Sequence, residues 1–168
     1  MRKHTEKIHN LLEDRSDNAR FFMRLLVIVI AFYVLFGYIF AIGVVDGNSM
    51  LTTYEDGEII IASRFAEAGR SDVVFVESDK LGYIVKRVIA VPGDTIAIQD
   101  GTTYLNGEPL SEPYVTYHKD NDELEPMTIP EGYYFVMGDN RPVSIDSRSW
   151  ISVIPKDEIM GVVLFKFL

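Results

Sequence analysis

Cysteine is absent from the 168 residues. No disulfide can staple any part of the chain, no thiolate can hold a metal, and no cysteine can act as a nucleophile. Histidine is nearly absent as well: His4, His9 and His118 are the whole supply. A Ser-His-Asp triad would have to recruit His118, which sits in the polar run YHKDNDELEP, a setting that suits a solvated loop histidine. Positive charge is scarce, with 16 Lys and Arg against 25 Asp and Glu and a net charge of −9. Beyond residue 46 there is no long amphipathic helical window, and the chain shows no internal repeat or low-complexity tract.

What is present is distributed unevenly. Residues 25–45 read LLVIVIAFYVLFGYIFAIGVV, 21 positions without a charge. A helix rising about 1.5 Å per residue covers roughly 30 Å over that run, the thickness of a bilayer's hydrocarbon core. A buried helix of a soluble protein would show a polar stripe over six turns. Ala41-Ile42-Gly43 imitates a signal-peptide cleavage site, yet 24 residues precede the run, and the run exceeds a signal core of about 7–15 residues. The reading is a permanent transmembrane helix over 25–45, between an N-terminal segment 1–24 and an outer domain 46–168. The N-terminal segment carries six Lys/Arg against four acids, net +2, with Arg20 and Arg24 against the apolar run; the outer domain carries ten against 21, net −11. By the positive-inside rule the N-terminus is expected in the cytoplasm and the 123-residue remainder outside. So acidic a remainder is a poor partner for nucleic acid. Ile8, Leu11 and Leu12 among the charges of 5–20 suggest a short helix before the membrane.

After residue 46 the pattern changes to short runs of β-branched and aromatic residues: EIIIAS, DVVFVES, YIVKRVIAV, DTIAIQD, TTYLNGE, GYYFVMGD and IMGVVLFKF. Gly-Asp, Asn-Gly and Pro-Gly pairs separate them, as turns between strands do. The expected fold is mostly β, an antiparallel pair of packed sheets or a partly closed barrel. The acidic, proline-bearing stretch 118–130 reads as the tip of a peripheral excursion spanning about 100–135.

Two residues stand out. In the strand-like run 83–91, alternation puts Ile84, Lys86, Val88 and Ala90 on one face, with apolar residues around Arg87 on the other. Such a lysine either escapes at an edge or is desolvated, and desolvation lowers the pKa of its ammonium. Bringing it from about 10.4 to roughly 8 requires about 3.3 kcal/mol of differential destabilisation. Ser49, four residues past the apolar run in Asp46-Gly47-Asn48-Ser49-Met50, is by itself either a turn former or a hydroxyl held close to the membrane surface.

The segment 138–148 decides between these readings: Gly138-Asp139-Asn140-Arg141-Pro142-Val143-Ser144-Ile145-Asp146-Ser147-Arg148. With Ser49-Met50, and with Lys86-Arg87-Val88-Ile89 followed by Pro92-Gly93-Asp94, it makes a chain that resembles the bacterial type I signal peptidases, in motif order and spacing. The single anchor and small outer domain resemble the short Gram-positive form. The resemblance implies that Ser49 is the nucleophile and Lys86 its general base. It further implies that Ser144 orients the lysine amine, and that Asp146 and Arg148 form an ion pair holding their segment against the catalytic strand. Met50 would line the pocket for the small side chain before the scissile bond, the Ser49 backbone N–H would be an oxyanion donor, and Gly138 to Arg141 would form the positioning turn.

The function so implied is a membrane-bound serine endopeptidase that removes N-terminal signal peptides from exported preproteins after a small-x-small motif. Its partners would be secretory preproteins and membrane lipid, and a Ser–Lys acyl-enzyme mechanism calls for no metal and no other cofactor. Thr52 departs from the family's pattern, where Ser-Met-x-Pro-Thr is usual; losing the proline frees φ and should loosen the turn behind the nucleophile. Gly47 replaces a serine hydroxyl found in some members, Ser71 a glycine before Asp72, and Ala90 a glycine after the lysine strand. A self-cleaving, repressor-type Ser–Lys peptidase would lack the anchor and the GDNR segment. A non-catalytic or specialised membrane-tethered pilus-assembly helper of the same fold is the alternative from another class.

Overall fold

A computed structural model describes residues 2–79, 81–118, 121–149 and 152–167, with side chains from residue 18 onward. Lys119 and Asp120, inside the acidic stretch 118–130, and Met1 of the N-terminal segment lie outside the described residues. The chain divides into two compact units, 1–39 and 40–168.

The first unit is one helix, α1, Arg2–Ile39. It joins the expected short helix of 5–20 to the apolar run without a break. Over Asn18–Ile39 its composition and its 22-residue length suffice to cross a bilayer. The helix ends six residues short of the apolar run's end: Phe40–Val44 is strand β1. These five residues pair antiparallel with β2, Ile59–Ser63, from Phe40↔Ser63 to Val44↔Ile59. The ladder wins because it buries Ala41 and admits Gly43, a poor helix former, and apolar composition alone does not distinguish the two outcomes.

The second unit is mostly antiparallel β, as the run pattern indicates. Its strands are β1 and β2, then β3 Val73–Ser78, β4 Gly82–Ala90, β5 Thr95–Gln99, β6 Thr102–Leu105, β7 Glu108–Pro109, β8 Leu124–Thr128, β9 Tyr133–Met137, β10 Ile154–Pro155 and β11 Ile159–Phe167. They make two open sheets, a seven-stranded one in the order β1-β2-β11-β3-β4-β9-β10 and a four-stranded one in the order β7-β6-β5-β8. The excursion expected over 100–135 is therefore organised: most of it builds the smaller sheet with β5.

Three apolar clusters hold the unit together. Ala41, Val45, Met50, Ile60, Ala62, Phe75 and Val85 pack on one face of the larger sheet. Val74, Val76, Val88, Val136 and Ile154 form a second cluster, joined at its margin by Ile84. Ile89, Ala90, Phe135 and Met137 of the larger sheet meet Ile96, Ile98 and Ile129 in a third. Each fully buried aliphatic side chain contributes about 1.5–3 kcal/mol before chain entropy is charged against it. Ile84 and Val88 share a side with Lys86, as alternation requires, whereas Ala90 joins Ile89 in the third cluster. The cause is a register shift between Val88 and Ala90 against β9, a bulge that turns the end of β4 toward the smaller sheet.

Candidate active site

Strand β4 runs in the interior of the larger sheet between β3 and β9, with Lys86 opposite Val74 and Val88 opposite Val136. The strand cannot turn its lysine out to an edge, and Lys86 is only 4% exposed. Its Nζ donates to Ser49 Oγ at 2.7 Å and to the Val85 carbonyl at 3.2 Å. Burial pushes the amine down to about 8, against the opposing pull of the Asp146 and Asp139 carboxylates, with Arg148 adding to the depression. At pH 7 an amine with that pKa is about 10% neutral, against about 0.03% at 10.5. A lysine in this state can take a proton from the hydroxyl it touches.

Ser49 sits in a tight turn between β1 and β2. Gly47, at φ 81°, donates its N–H to Asp56 Oδ1 at 2.7 Å, and the N–H groups of Thr53 and Tyr54 both return to the Met50 carbonyl at 2.9 Å. Met50 is buried and anchors the turn in the first apolar cluster. Beside Ser49 lies a small cavity of about 40 Å³, lined by Val44, Val45, Met50, Phe75, Val85 and Lys86 among others. An open groove of about 410 Å³ adjoins it, bordered by Asp46, Asn48, Leu81, Ile84, Val143 and Ile145.

The segment 138–148 clamps this turn from the other side. Asn140 N donates to the Ser49 carbonyl and Asn140 Nδ2 to the Asn48 carbonyl, both at 3.0 Å. Arg148 and Asp146 pair through two contacts, Nε to Oδ1 at 2.9 Å and Nη2 to Oδ2 at 2.8 Å. Burial alone would raise the Asp146 carboxyl, but the guanidinium and the Gly138 N–H, 3.0 Å away, hold it below the usual carboxylate range. Arg148 also reaches Asp122 at 2.6 Å and the Arg141 carbonyl at 2.9 Å. Ser144 Oγ is buried and makes no hydrogen bond of good geometry among the described residues, although it lies near enough to Asp146 to help lower that carboxyl, and it packs against Gly138 beside the Ser49 carbonyl. Its hydroxyl makes no hydrogen bond to Lys86 in this arrangement. His118 is exposed, as the sequence context suggests. Among the described residues no group of His, Asp and Glu is placed to hold a metal ion.

A second buried network carries weight that sequence reading did not give it. Arg87 donates Nε to Asp139 Oδ1 at 2.8 Å and Nη2 to Asp139 Oδ2 at 2.6 Å, with Nη1 on the Ser71 carbonyl at 2.8 Å. Thr53 Oγ1 donates to the same Asp139 oxygen at 2.5 Å, so the serine turn, the lysine strand and the 138–141 turn meet on one carboxylate. The available signal was the charge of Arg87 inside an apolar strand, which demands a buried acid as partner. Ser71 takes φ 71°, a left-handed conformation that strains a residue with a Cβ. Ser71→Gly is expected to stabilise the fold by about 1 kcal/mol, raising the thermal midpoint by roughly 2–4 °C in a scan of the detergent-solubilised protein.

The family model described as signal peptidase, peptidase S26, matches residues 18–168. A signal peptidase I from Bacillus licheniformis is 33% identical, the match covering 94% of this chain and 95% of that one. Signal peptidase IB from Staphylococcus aureus is 36% identical over 83% of this chain and 85% of its own length. A crystal structure of a signal peptidase I from Enterococcus faecalis aligns with a TM-score of 0.49 at 34% identity, covering 59% of this chain and 98% of that chain. With its whole β unit and most of its apolar helix inside the family match, and relatives a third identical along most of both chains, this chain belongs to the signal peptidases of peptidase family S26.

Proposed function

We propose that the protein is a membrane-anchored signal peptidase I, which cleaves preproteins after a small-x-small motif with Ser49 as nucleophile and Lys86 as general base. The observation that carries this reading is the 2.7 Å contact between a desolvated amine and a serine hydroxyl at the head of a narrow cavity. Neutral Lys86 takes the Ser49 proton as Oγ attacks the scissile carbonyl carbon. The resulting oxyanion is met by the Ser49 N–H, a donor of the kind that contributes about 3–4 kcal/mol. The Lys86 ammonium then returns the proton to the leaving amine, the C–N bond breaks, and an ester to Ser49 remains. Water, deprotonated by the neutral amine, hydrolyses that ester. Ser144 would steady the amine by turning its hydroxyl toward it, and Asp146 with Arg148 would hold that segment in place.

The cavity supports the substrate class. The small cavity beside Met50, walled by Val44, Val45, Phe75 and Val85, suits a small apolar side chain. Without a catalytic use, the non-catalytic helper reading leaves a buried lysine that only destabilises the fold. Incubating the solubilised protein with a preprotein tests the function directly, product of the mature length being the expected result. Cleavage should also rise with pH through one ionisation at about 8, because only the neutral amine is a base. A rate independent of pH between 6 and 10 would exclude Lys86 from the step.

Membrane attachment is supported by two features. Over Asn18–Ile39 the helix carries exposed apolar side chains from Phe21 to Tyr38. In the β unit, Ile42, Val44, Ile59, Phe165 and Phe167 leave an exposed apolar face on β1, β2 and β11, suited to lipid. The basic N-terminal flank orients the helix with residues 1–24 in the cytoplasm. Protease added to intact spheroplasts should therefore digest the β unit and spare the N-terminal segment; protection of the β unit would reverse the topology.

A further inference from the structure

The smaller sheet stands apart from the chemistry, yet one piece of it returns to the site. Between β7 and β8 the chain makes a turn closed by Val115 N on the Glu112 carbonyl at 3.0 Å, with Val115 buried. From this turn three alternate side chains reach three different supports of the Ser49–Lys86 pair. Glu112 receives both Nη1, at 2.9 Å, and Nη2, at 2.5 Å, of Arg141 in the 138–141 turn. Tyr114 lays its ring under the Arg87 guanidinium, 4.0 Å from centroid to Cζ. Thr116 Oγ1 lies 3.1 Å from Thr52 Oγ1, three residues after the nucleophile. The backbone adds a fourth link: Arg141 N donates to the Tyr117 carbonyl at 3.1 Å, beside a bridge between Tyr117 and Asn140.

Each support already holds the dyad. Asn140 grips the Ser49 carbonyl, Arg87 fixes Asp139 of the same turn, and Thr52 belongs to the Ser49 turn. Resting on the Ser49–Lys86 reading, we propose that the segment Glu112–Tyr117 is a positioning strap, through which the smaller sheet sets the distance between nucleophile and base. It also accounts for Thr52. The hydroxyl that stands where the family has a proline is tied to Thr116, so the freedom gained at φ is removed by a tether from outside the turn. Neither the cavity nor the groove is lined by a strap residue. The strap therefore acts on the rate of the chemical step and leaves substrate binding alone, since a misplacement of about 1 Å lowers such a rate by roughly a hundredfold.

The test compares paired variants of the full-length protein in detergent, each assayed for preprotein cleavage and for thermal unfolding. Thr116→Val removes the tether and is expected to lower kcat about tenfold with KM changed less than twofold, while Thr116→Ser keeps the hydroxyl and restores kcat to within about twofold. Tyr114→Leu removes the ring and is expected to lower kcat at least as far, with Tyr114→Phe, whose ring face remains for the cation, close to the parent. Thr116 is exposed, so its pair remains readable if Tyr114→Leu unfolds. Ser49→Ala runs beside them. Parent-like kcat in Thr116→Val, a loss confined to KM, or a Ser variant no better than Val overturns the strap while a dead Ser49→Ala leaves the dyad standing. Cleavage by Ser49→Ala itself overturns the dyad, and the strap with it.

Discussion

Lys86→Met is expected to abolish preprotein cleavage and, at pH 7, to make the protein more stable. The loss of activity should reach roughly 10⁴-fold or more, as for other nucleophile–base units, and Ser49→Ala should match it. On the proposed dyad the two groups act as one, so the double variant should be no worse than either single one. The gain in stability follows from burial. Lys86 titrates at about 8 in the folded chain, below its ordinary 10.5, so the folded state binds the proton less tightly than the unfolded state does. Below pH 8 both states are charged and the full penalty stands, about 3 kcal/mol for a shift of this size. Between pH 8 and 10.5 the unfolded chain carries more protons, so stability rises with pH, and above 10.5 the penalty is gone. Methionine fits the same volume without a charge, but it forgoes the hydrogen bonds to Ser49 Oγ and the Val85 carbonyl. A net gain of about 1–3 kcal/mol at pH 7 remains, shrinking as the pH approaches 10.5. Denaturant titrations of both proteins at pH 7 and pH 10 measure it. An equal difference at the two values would mean that Lys86 is not desolvated, and the explanation of its basicity would fail.

The parts of the site that were legible in the sequence are those whose residue type is costly where it stands. A lysine and an arginine inside YIVKRVIAV announce buried charge, and the GDNR segment announces its order. What the sequence could not reveal is where chain segments distant in number converge. Phe40–Val44 has the composition of the helix before it, and only the ladder offered by Ile59–Ser63 makes it a strand. The bulge at Val88–Ala90 has no local signature, so alternation placed Ala90 on the wrong side. Asp139 was readable as a turn residue; that it collects Arg87 and Thr53 depends on a fold that brings residues 53, 87 and 139 together. Likewise Thr52 reads as a weakened turn until Thr116, 64 positions away, is placed against it.

Gly138→Ala is the other change from which a near-complete loss of activity is expected, although Gly138 lines neither the cavity nor the groove. A Cβ at this position would lie closer than 3.0 Å to Ser144 Oγ, Ser144 Cβ and the Ser49 carbonyl oxygen at once. Ser144 Oγ can turn away about χ1, but Ser144 Cβ and the Ser49 carbonyl oxygen cannot move without the backbone. The Gly138 N–H is also committed to Asp146 at 3.0 Å, and Asp139 next to it to Arg87, so the glycine cannot retreat without breaking buried charge pairs. The serine turn must therefore yield. Overpacking of this kind costs about 1–3 kcal/mol of stability, which a folded domain survives, but a shift of about 1 Å at Ser49 lowers kcat by 10² or more. A second substitution separates the two contacts. Ser144→Ala in the Gly138→Ala background removes the hydroxyl from the collision but leaves the Ser49 carbonyl in place, so activity should not return. Recovery to the level of Ser144→Ala alone would show that Ser144, and not the Ser49 backbone, is what requires a residue without a side chain at 138.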